Sequence, residues 1–516
     1  MSQINVKHVA KLANLPVSPK EEALFTEQFE QIISYIDTLN KVDTSKVEPT
    51  YQTLDNQINI LRVDKIEPSL TQKQALSQAP KTLNGYFLTQ DVFSSKKTIN
   101  SAIVKSRKKI DSSNAILTKV DSKGTVGHKD LFCTKDIETT AGSNVLADFK
   151  PPYSATVVKL LEEAGLKTKY KLNQDAWGHG SSGENSDFGP TTNPYNSSKV
   201  PGGSSSGSGA ALASGEIDLA TGTDTCGSIR MPSAYCNSTG IKPSYGAVSR
   251  YGVIAFASSL DCPGLMARSA TKLRKAFNLI YKADQRDATS QSQQRISSAK
   301  TKPVKTIGLP KEFLAKGINK SVKQLILDAA DLFKKNGYKV VDISLPHAEY
   351  GVAAYYIIAP TETSSNLARF DGVRFGNDRS YFGAEAKRRI MLGSFVSSSG
   401  YHAKYYDKAA RIRTLIAEDF SKAYQKVDAI LAPVTPIPPF DLGAKVDDPL
   451  QLYLMDIYTA PASLSGLPSL ALPCGFIDDL PMGMQLIGPR WTENNLFDLA
   501  ETYQQLTNWH QQKPKL

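Results

Sequence analysis

The run PGGSSSGSGAALASG, Pro201 to Gly215, leading directly into IDLATGTDTCGSIRMPSAYC, Ile217 to Cys236, decides how the chain is read. Alone, the first run has the Gly/Ser composition of a flexible spacer. The second run argues against that: a short apolar stretch, Ile217 to Ala220, enters another glycine-containing turn in the main body of the chain, where no domain-joining spacer is expected. Where a buried strand runs into Thr225-Cys226-Gly227-Ser228, successive backbone N–H groups converge, and convergent donors are what an oxyanion requires. Ser228 then stands beside its own electrophile trap as a candidate nucleophile. A serine hydroxyl attacks poorly until a base takes its proton. The candidate bases are His128, its neighbour Lys129 in GHKD, neutral if burial lowers its pKa, and Asp224, too acidic unless strongly perturbed. Gly203-Ser204-Ser205-Ser206-Gly207 also satisfies GxSxG, but the preceding NPYNSSKVPG fits no strand, and a nucleophile elbow needs one.

The chain has 516 residues, 41% hydrophobic and 22% charged, the values of an ordinary soluble protein long enough for several domains. MSQINVKHVAKLANLP has no apolar run of signal-peptide type, and no later segment is apolar for long enough to span a membrane, so a cytoplasmic address is expected. Five cysteines without a CxxC pair and six histidines without HExxH predict neither a disulfide framework nor a metal site. The net charge of +11 fits either a nucleic-acid neighbour or a solvated basic surface. The densest basic patch, Ser94 to Ile110, reads as a linker helix or solvated face.

Three regions are expected: 1–93, 94–126 and 127–516. In the first, Ser18-Pro19-Lys20-Glu21 combines an N-cap serine, a proline at the first helical position and a capping-box glutamate. Leu24, Phe25, Phe29, Ile32, Ile33, Ile36 and Leu39 recur at helical spacing, predicting one helix of about five turns. Val42 to Phe93 is proline-spotted and poor in core residues, and reads as an extended strap that needs a partner surface. From Gly127 onward helices alternate with short apolar runs, which predicts an α/β fold with a mixed central sheet covered by helices. Asp287 to Pro303, rich in Gln and Ser, reads as a surface loop.

GHKD with TTAGS, then PPYSATVVKLL, PGGSSSGSGAALASG, GTDTCGSIRMPSAYC and GIKPSYGAVSRYGVIAFASSLD, closely resemble the amidase-signature enzymes from about Gly127 to the C-terminus. YYIIAPTETSSNLARFDGVRFG, KRRIMLGSF and YLMDIYT look like the A subunit of the glutamine-dependent aspartyl/glutamyl-tRNA amidotransferases. VAKLANLPVSP, VDTSKVEPTY and APKTLNGYF look like their C subunit. The chain thus resembles a fusion of the two. The resemblance implies a Ser-Ser-Lys triad of Ser228 as nucleophile, Ser204 with a cis amide as bridge and Lys129 as base. It implies an oxyanion hole from the amides of Thr225, Cys226 and Gly227 through Ser228, and a glutamine clamp in which Arg389 takes the α-carboxylate and Asp456 the α-ammonium. By the same resemblance a separate B subunit binds ATP, Mg²⁺ and mischarged tRNA and receives the ammonia; no GxxxxGK[ST] loop occurs here. Asp224 and Arg230 are expected to form an ion pair that fixes the turn, and Arg388 competes with Arg389 for the clamp. Departures from the family pattern are Cys226 and Ser206 in place of glycines, His128 before the lysine, and a region before Lys129 shortened to about Ser94–Val126. Two rival readings are a free-standing amidase of small amides and a non-catalytic assembly subunit; a Cys226 nucleophile is a further alternative.

Overall fold

Long buried strands read as apolar runs when both faces of a sheet are covered, and the runs LATGTD, CPGLMA, AILAP and SLALPCGFI all become such strands. The computed structural model describes residues 4–54, 60–61, 64–89, 107–291, 302–315, 317–445 and 448–515. Strands β1 (Thr82–Leu83) and β2 (Tyr86–Phe87) form a small exposed hairpin. The others are β3 (Ile116–Lys119), β4 (Val126–Lys129), β5 (Thr168–Leu172), β6 (Leu219–Asp224), β7 (Thr239–Lys242), β8 (Cys262–Ala267), β9 (Thr306–Pro310), β10 (Lys339–Ile343), β11 (Ala429–Pro433), β12 (Ser469–Ile477) and β13 (Leu480–Ile487). They build one 11-stranded mixed sheet in the order β10-β9-β11-β13-β12-β7-β8-β6-β4-β5-β3. β4 lies parallel to both β5 and β6, whereas β6 and β8 run antiparallel. β12 and β13 turn over at Asp478-Asp479, both at positive φ, which short polar side chains tolerate.

The helices used below are α1 (Val6–Leu12), α2 (Pro19–Ile36), α3 (Gln72–Leu76), α4 (Thr156–Glu163), α5 (Ser206–Ala213), α6 (Arg230–Tyr235), α7 (Ala270–Ile280), α8 (Lys320–Lys335), α9 (Gly351–Asn366), α10 (Ala384–Val396), α11 (Lys408–Ala423), α12 (Pro449–Tyr453), α13 (Ala460–Leu464) and α14 (Glu493–Leu506). Apolar side chains of α4, α7, α8 and α14 share one core with the sheet. A second core joins α9, α10 and α11 to α1 and α2. Helix α9 is buried on all sides from Gly351 to Pro360, as its apolar sequence GVAAYYIIAP requires.

Helix α2 forms as its spacing predicts. Ser18 accepts from the Glu21 amide and Glu21 from the Ser18 amide, closing the capping box. Its stripe is spent on the rest of the chain: Phe25, Phe29, Ile32, Ile33 and Ile36 are buried in the same core as α9 and α10. Each such side chain contributes about 1.5–3 kcal/mol on burial, so this face alone ties the N-terminal segment to the body. The first half of the strap runs along the same surface. Thr50 N–H donates to the Ala410 carbonyl of α11 at 3.1 Å, Tyr51 Oη to Asp407 at 2.9 Å, and Leu54 packs with Tyr245 and Cys262. Farther on, Ile66, Leu70, Leu83 and Tyr86 are exposed.

β3 pairs with β5, so the sheet begins upstream of Gly127, inside 94–126, the stretch expected to hold a basic linker and a shortened A-subunit N-terminal region. Most of the basic patch and most of the Asp287–Pro303 loop lie outside the described residues. Within that loop Asp287 is fixed, accepting from the Arg250 amide at 2.8 Å.

Candidate active site

Lys129 closes β4 beside β6, with Gly127 in register with Ala220. Successive residues of a strand face opposite sides, so His128 and Lys129 part company. Lys129 Nζ donates to Ser204 Oγ at 2.7 Å and to Thr223 Oγ1 at 2.8 Å, and its amide donates to Thr221 Oγ1 at 3.0 Å. The amine is wholly buried, and burial pulls its pKa down to about 7, against the raising influence of Asp175, Asp224 and Asp261. A large neutral fraction therefore exists at neutral pH. His128 hydrogen-bonds Thr168 Oγ1 at 3.1 Å on the other face, and burial drops its pKa to about 3. It is no base for Ser228.

Ser204 comes after a cis peptide bond from Gly203. Glycine is demanded at 203, because a Cβ there would lie 1.9 Å from Asp175 Oδ2. Asp175 is itself clasped by the Gly183 and Asn185 amides, and burial raises its carboxyl to about 6. Helix α5 starts immediately after, and at Gly207 a Cβ would sit 2.5 Å from the Ala115 carbonyl and 2.6 Å from that of Asn173. The Gly/Ser composition of the run thus reflects backbone packed on backbone. No strand precedes it, so GxSxG is not an elbow here. The Ser205 amide donates to the Ser228 carbonyl at 3.1 Å, joining the two serine segments.

The turn after β6 is organised by Asp224. Its carboxylate takes Arg230 Nε and Nη2, each at 3.0 Å, and the Gly227 amide at 2.7 Å. Burial works against this charge, but the Arg230 guanidinium holds the carboxyl below its ordinary pKa. Arg230 also reaches Gln485 and Ser463, each at 2.8 Å, so the ion pair staples the turn as expected. Gly227 departs from expectation: its N–H is spent on Asp224 Oδ1. Among the described residues the amides of Thr225, Cys226 and Ser228 make no hydrogen bond, so in this turn it is these three, not Gly227, whose N–H groups are left without a partner. Thr225 Oγ1 is anchored on Asp261 at 2.7 Å, and the Cys226 carbonyl on Thr459 Oγ1. Burial pushes the Cys226 thiol well above its ordinary pKa, which removes the thiolate a cysteine nucleophile needs. Ser228 is 7% exposed, whereas Lys129 and Ser204 are 0% exposed, so of the three Ser228 alone retains contact with solvent.

Asp456 faces the same turn: a Cβ on Gly227 would come within 3.2 Å of its Oδ1. Its Oδ2 accepts from Ser181 and Tyr356, each at 3.1 Å. Burial raises its carboxyl to about 7, opposed by those two hydrogen bonds and by Arg389. The cations of KRRI separate cleanly. Lys387 pairs with Glu21 at 2.7 Å and Arg388 with Gln28 at 2.8 Å, whereas Arg389 lies over Phe256, Tyr356 and Tyr453 at 5.4, 5.1 and 5.5 Å. Its Nε is held by Glu385 at 2.7 Å. Arg389, not Arg388, is therefore the arginine beside Asp456.

Residues 125–497 match the amidase family model. The chain belongs to the amidase family. Residues 17–88 match the model of the Glu-tRNA(Gln) amidotransferase C subunit, so this amidase carries a C-subunit-like segment fused to its body. It is 49% identical over 400 residues to the glutamyl-tRNA(Gln) amidotransferase A subunit of Myxococcus xanthus, covering 73% of this chain and 82% of that protein. The A subunit of Coxiella burnetii is 44% identical over 467 residues, 84% and 97% of the two lengths. Among solved structures, the Thermotoga maritima A subunit superposes with a TM-score of 0.66 at 37% identity, over 75% of this chain and 86% of that one. A 6-aminohexanoate cyclic dimer hydrolase, at 18% identity and a TM-score of 0.67, shares the fold over 76% of this chain and 86% of that one.

Several residues of this amidase site escape a reading of the sequence. Thr223 is the second partner of Lys129, and Asp175 and Asp261 anchor the backbone around it. His179 is buried against Phe256 with ring centroids 4.6 Å apart, and burial, then Arg389, pushes its pKa well below the ordinary value. The available signal was local: Gly178, Gly180 and Gly183 all stand at positive φ, the mark of a tightly folded loop around His179.

Proposed function

We propose that this chain is the glutaminase component of a tRNA-dependent amidotransferase, releasing ammonia from glutamine by acyl transfer through Ser228. The observation that carries the reading is the 2.7 Å contact of a buried, readily neutral Lys129 with Ser204 at the foot of the Ser228 turn. Arg389 and Asp456, opposite in charge and both set against Tyr356 beside that turn, suit the carboxylate and ammonium of an α-amino acid.

Lys129 Nζ takes the Ser204 proton as Ser204 Oγ takes that of Ser228, and Ser228 Oγ attacks the glutamine side-chain carbonyl. The amides of Thr225, Cys226 and Ser228 receive the oxyanion; in such sites one donor is worth about 10²–10³ in rate. The proton returns along the relay to the departing nitrogen, the C–N bond breaks, and ammonia leaves a γ-glutamyl ester on Ser228. Water, deprotonated by the same relay, cleaves the ester to glutamate and restores the hydroxyl. A separate B subunit, located with this chain in the cytoplasm, would hold ATP, Mg²⁺ and mischarged tRNA and consume the ammonia. The exposed Ile66 and Tyr86, 97% and 73% accessible in a segment of C-subunit type, support such a partner.

The test is glutamate release by the purified chain and its Ser228→Ala variant, with and without a B-type subunit, ATP and mischarged tRNA. Release that rises with the partner and vanishes in the variant is expected. Hydrolysis of simple amides but not glutamine, indifferent to the partner, would replace this reading with a free-standing amidase.

A further inference from the structure

Helix α2 carries one polar residue inside its apolar stripe. Gln28 is 3% exposed, and a buried amide is costly unless it is paired. Its Oε1 accepts from Arg388 Nε at 2.8 Å, and the Arg388 guanidinium lies 5.6 Å from the Phe25 ring. The other edge of Arg388 reaches Glu385 one turn back on α10. Glu385 divides its carboxylate: Oε2 accepts from Arg388 Nη1 and Oε1 from Arg389 Nε. Arg389 then enters the aromatic cage beside Asp456. A continuous line of charge-assisted hydrogen bonds runs from the C-subunit-like segment to Arg389.

We propose that the N-terminal segment sets glutamine affinity through this line, with Gln28, Arg388 and Glu385 as positioning residues for Arg389. The inference rests on the reading of Arg389 as the α-carboxylate clamp. Arg388 and Arg389 compete for Glu385. Arg388 spends Nε on Gln28 and offers Glu385 only Nη1. Without the Gln28 acceptor, its Nε is left unpaired in a buried site, and a guanidinium satisfies two edges best on one carboxylate as a bidentate pair. Glu385 is then drawn toward Arg388 and away from Arg389 Nε. The Arg389 fork loses the bond that orients it over Tyr356 and Tyr453. Lys387 and Glu21 form a second tether, so α10 stays docked when Gln28 is changed.

The experiment measures glutamate release against glutamine concentration, and ammonia release from propionamide, which has no α-carboxylate, in the full chain. Gln28→Met is expected to raise KM for glutamine at least about fivefold, within the usual range of coupling between sites, and to leave kcat and propionamide hydrolysis at wild-type levels. Gln28→Glu keeps the acceptor and restores KM. In an Arg388→Met background, where nothing competes for Glu385, Gln28→Met has no effect on KM. Ile33→Val, a packing change on the same helix, leaves KM alone. If Arg389→Met raises KM but Gln28→Met behaves like Ile33→Val, the relay is wrong and the clamp stands. If Arg389→Met itself leaves KM unchanged, the clamp reading falls and the relay with it. A Gln28→Met loss shared equally by glutamine and propionamide would mark a structural role and also overturn the relay.

Discussion

At the residue scale the proposed chemistry turns on two buried groups whose pKa values meet near neutrality from opposite sides. Burial lowers Lys129 to about 7 and raises Asp456 to about 7. The proposed relay needs the lysine neutral, and the proposed ammonium clamp needs the aspartate charged, so each must lose a proton to work. Below about pH 7 the logarithm of kcat/KM for glutamine is expected to fall with a slope approaching two, and that for propionamide, which makes no demand on Asp456, with a slope of one. Equal slopes for the two substrates would remove Asp456 from recognition. The structure puts Lys129 Nζ 2.7 Å from Ser204 Oγ, and Lys129, Ser204 and Ser228 were legible as a set only through the family resemblance of the words GHKD, PGGSSS and TDTCGS. The occupation of the Gly227 amide by Asp224 was not, because it depends on how tightly three residues of turn curl. Thr223 and Asp175 stayed hidden for another reason: they meet Lys129 only through the pairing of β4 with β6 and β5.

At the scale of elements, two segments illustrate opposite uses of side-chain volume. Helix α2 was legible in period and cap, and its contribution is burial: Phe29, 1% exposed, sits in the core shared with α9 and α10. Phe29→Ala is expected to destabilise the chain by about 3–5 kcal/mol, read as a lowered urea midpoint with little change in the kcat of the folded fraction. The run before α5 works by absence of volume. Gly203→Ala places a methyl against Asp175 Oδ2, within 1.9 Å before relaxation, and is expected to abolish glutamate release. Retention of wild-type activity would show that the segment yields easily. Which strands neighbour which was not legible, since the order β10-β9-β11-β13-β12-β7-β8-β6-β4-β5-β3 reflects pairings between distant residues. β3 was missed because ILTK is short and lies close behind the basic stretch.

At the scale of the whole molecule, fusion makes permanent an attachment that would otherwise depend on concentration. The first half of the strap lies on α11, and α2 fills a face of α9 and α10, so the amidase body carries its own cover. The second half presents Ile66, Leu70, Leu83 and Tyr86 outward. Ile66→Asp combined with Tyr86→Asp is expected to leave glutamate release by the chain alone unchanged and to abolish its stimulation by a B-type subunit. Stimulation that survives both changes would place the partner elsewhere. An extended strap of low core content was readable from composition, whereas its division into a docked half and an outward half was not, because docking is decided by α11, over three hundred residues away.

In the proposed mechanism Ser228, activated through Ser204 by neutral Lys129, carries the acyl group. The direct measurement is mass spectrometry of peptides from the chain quenched in acid during glutamine turnover, in wild type, Ser228→Ala and Lys129→Met. A γ-glutamyl ester is expected on the peptide containing Ser228 in wild type, none in Ser228→Ala, and little in Lys129→Met. An adduct on Cys226, or glutamate release that persists without Ser228, would contradict it.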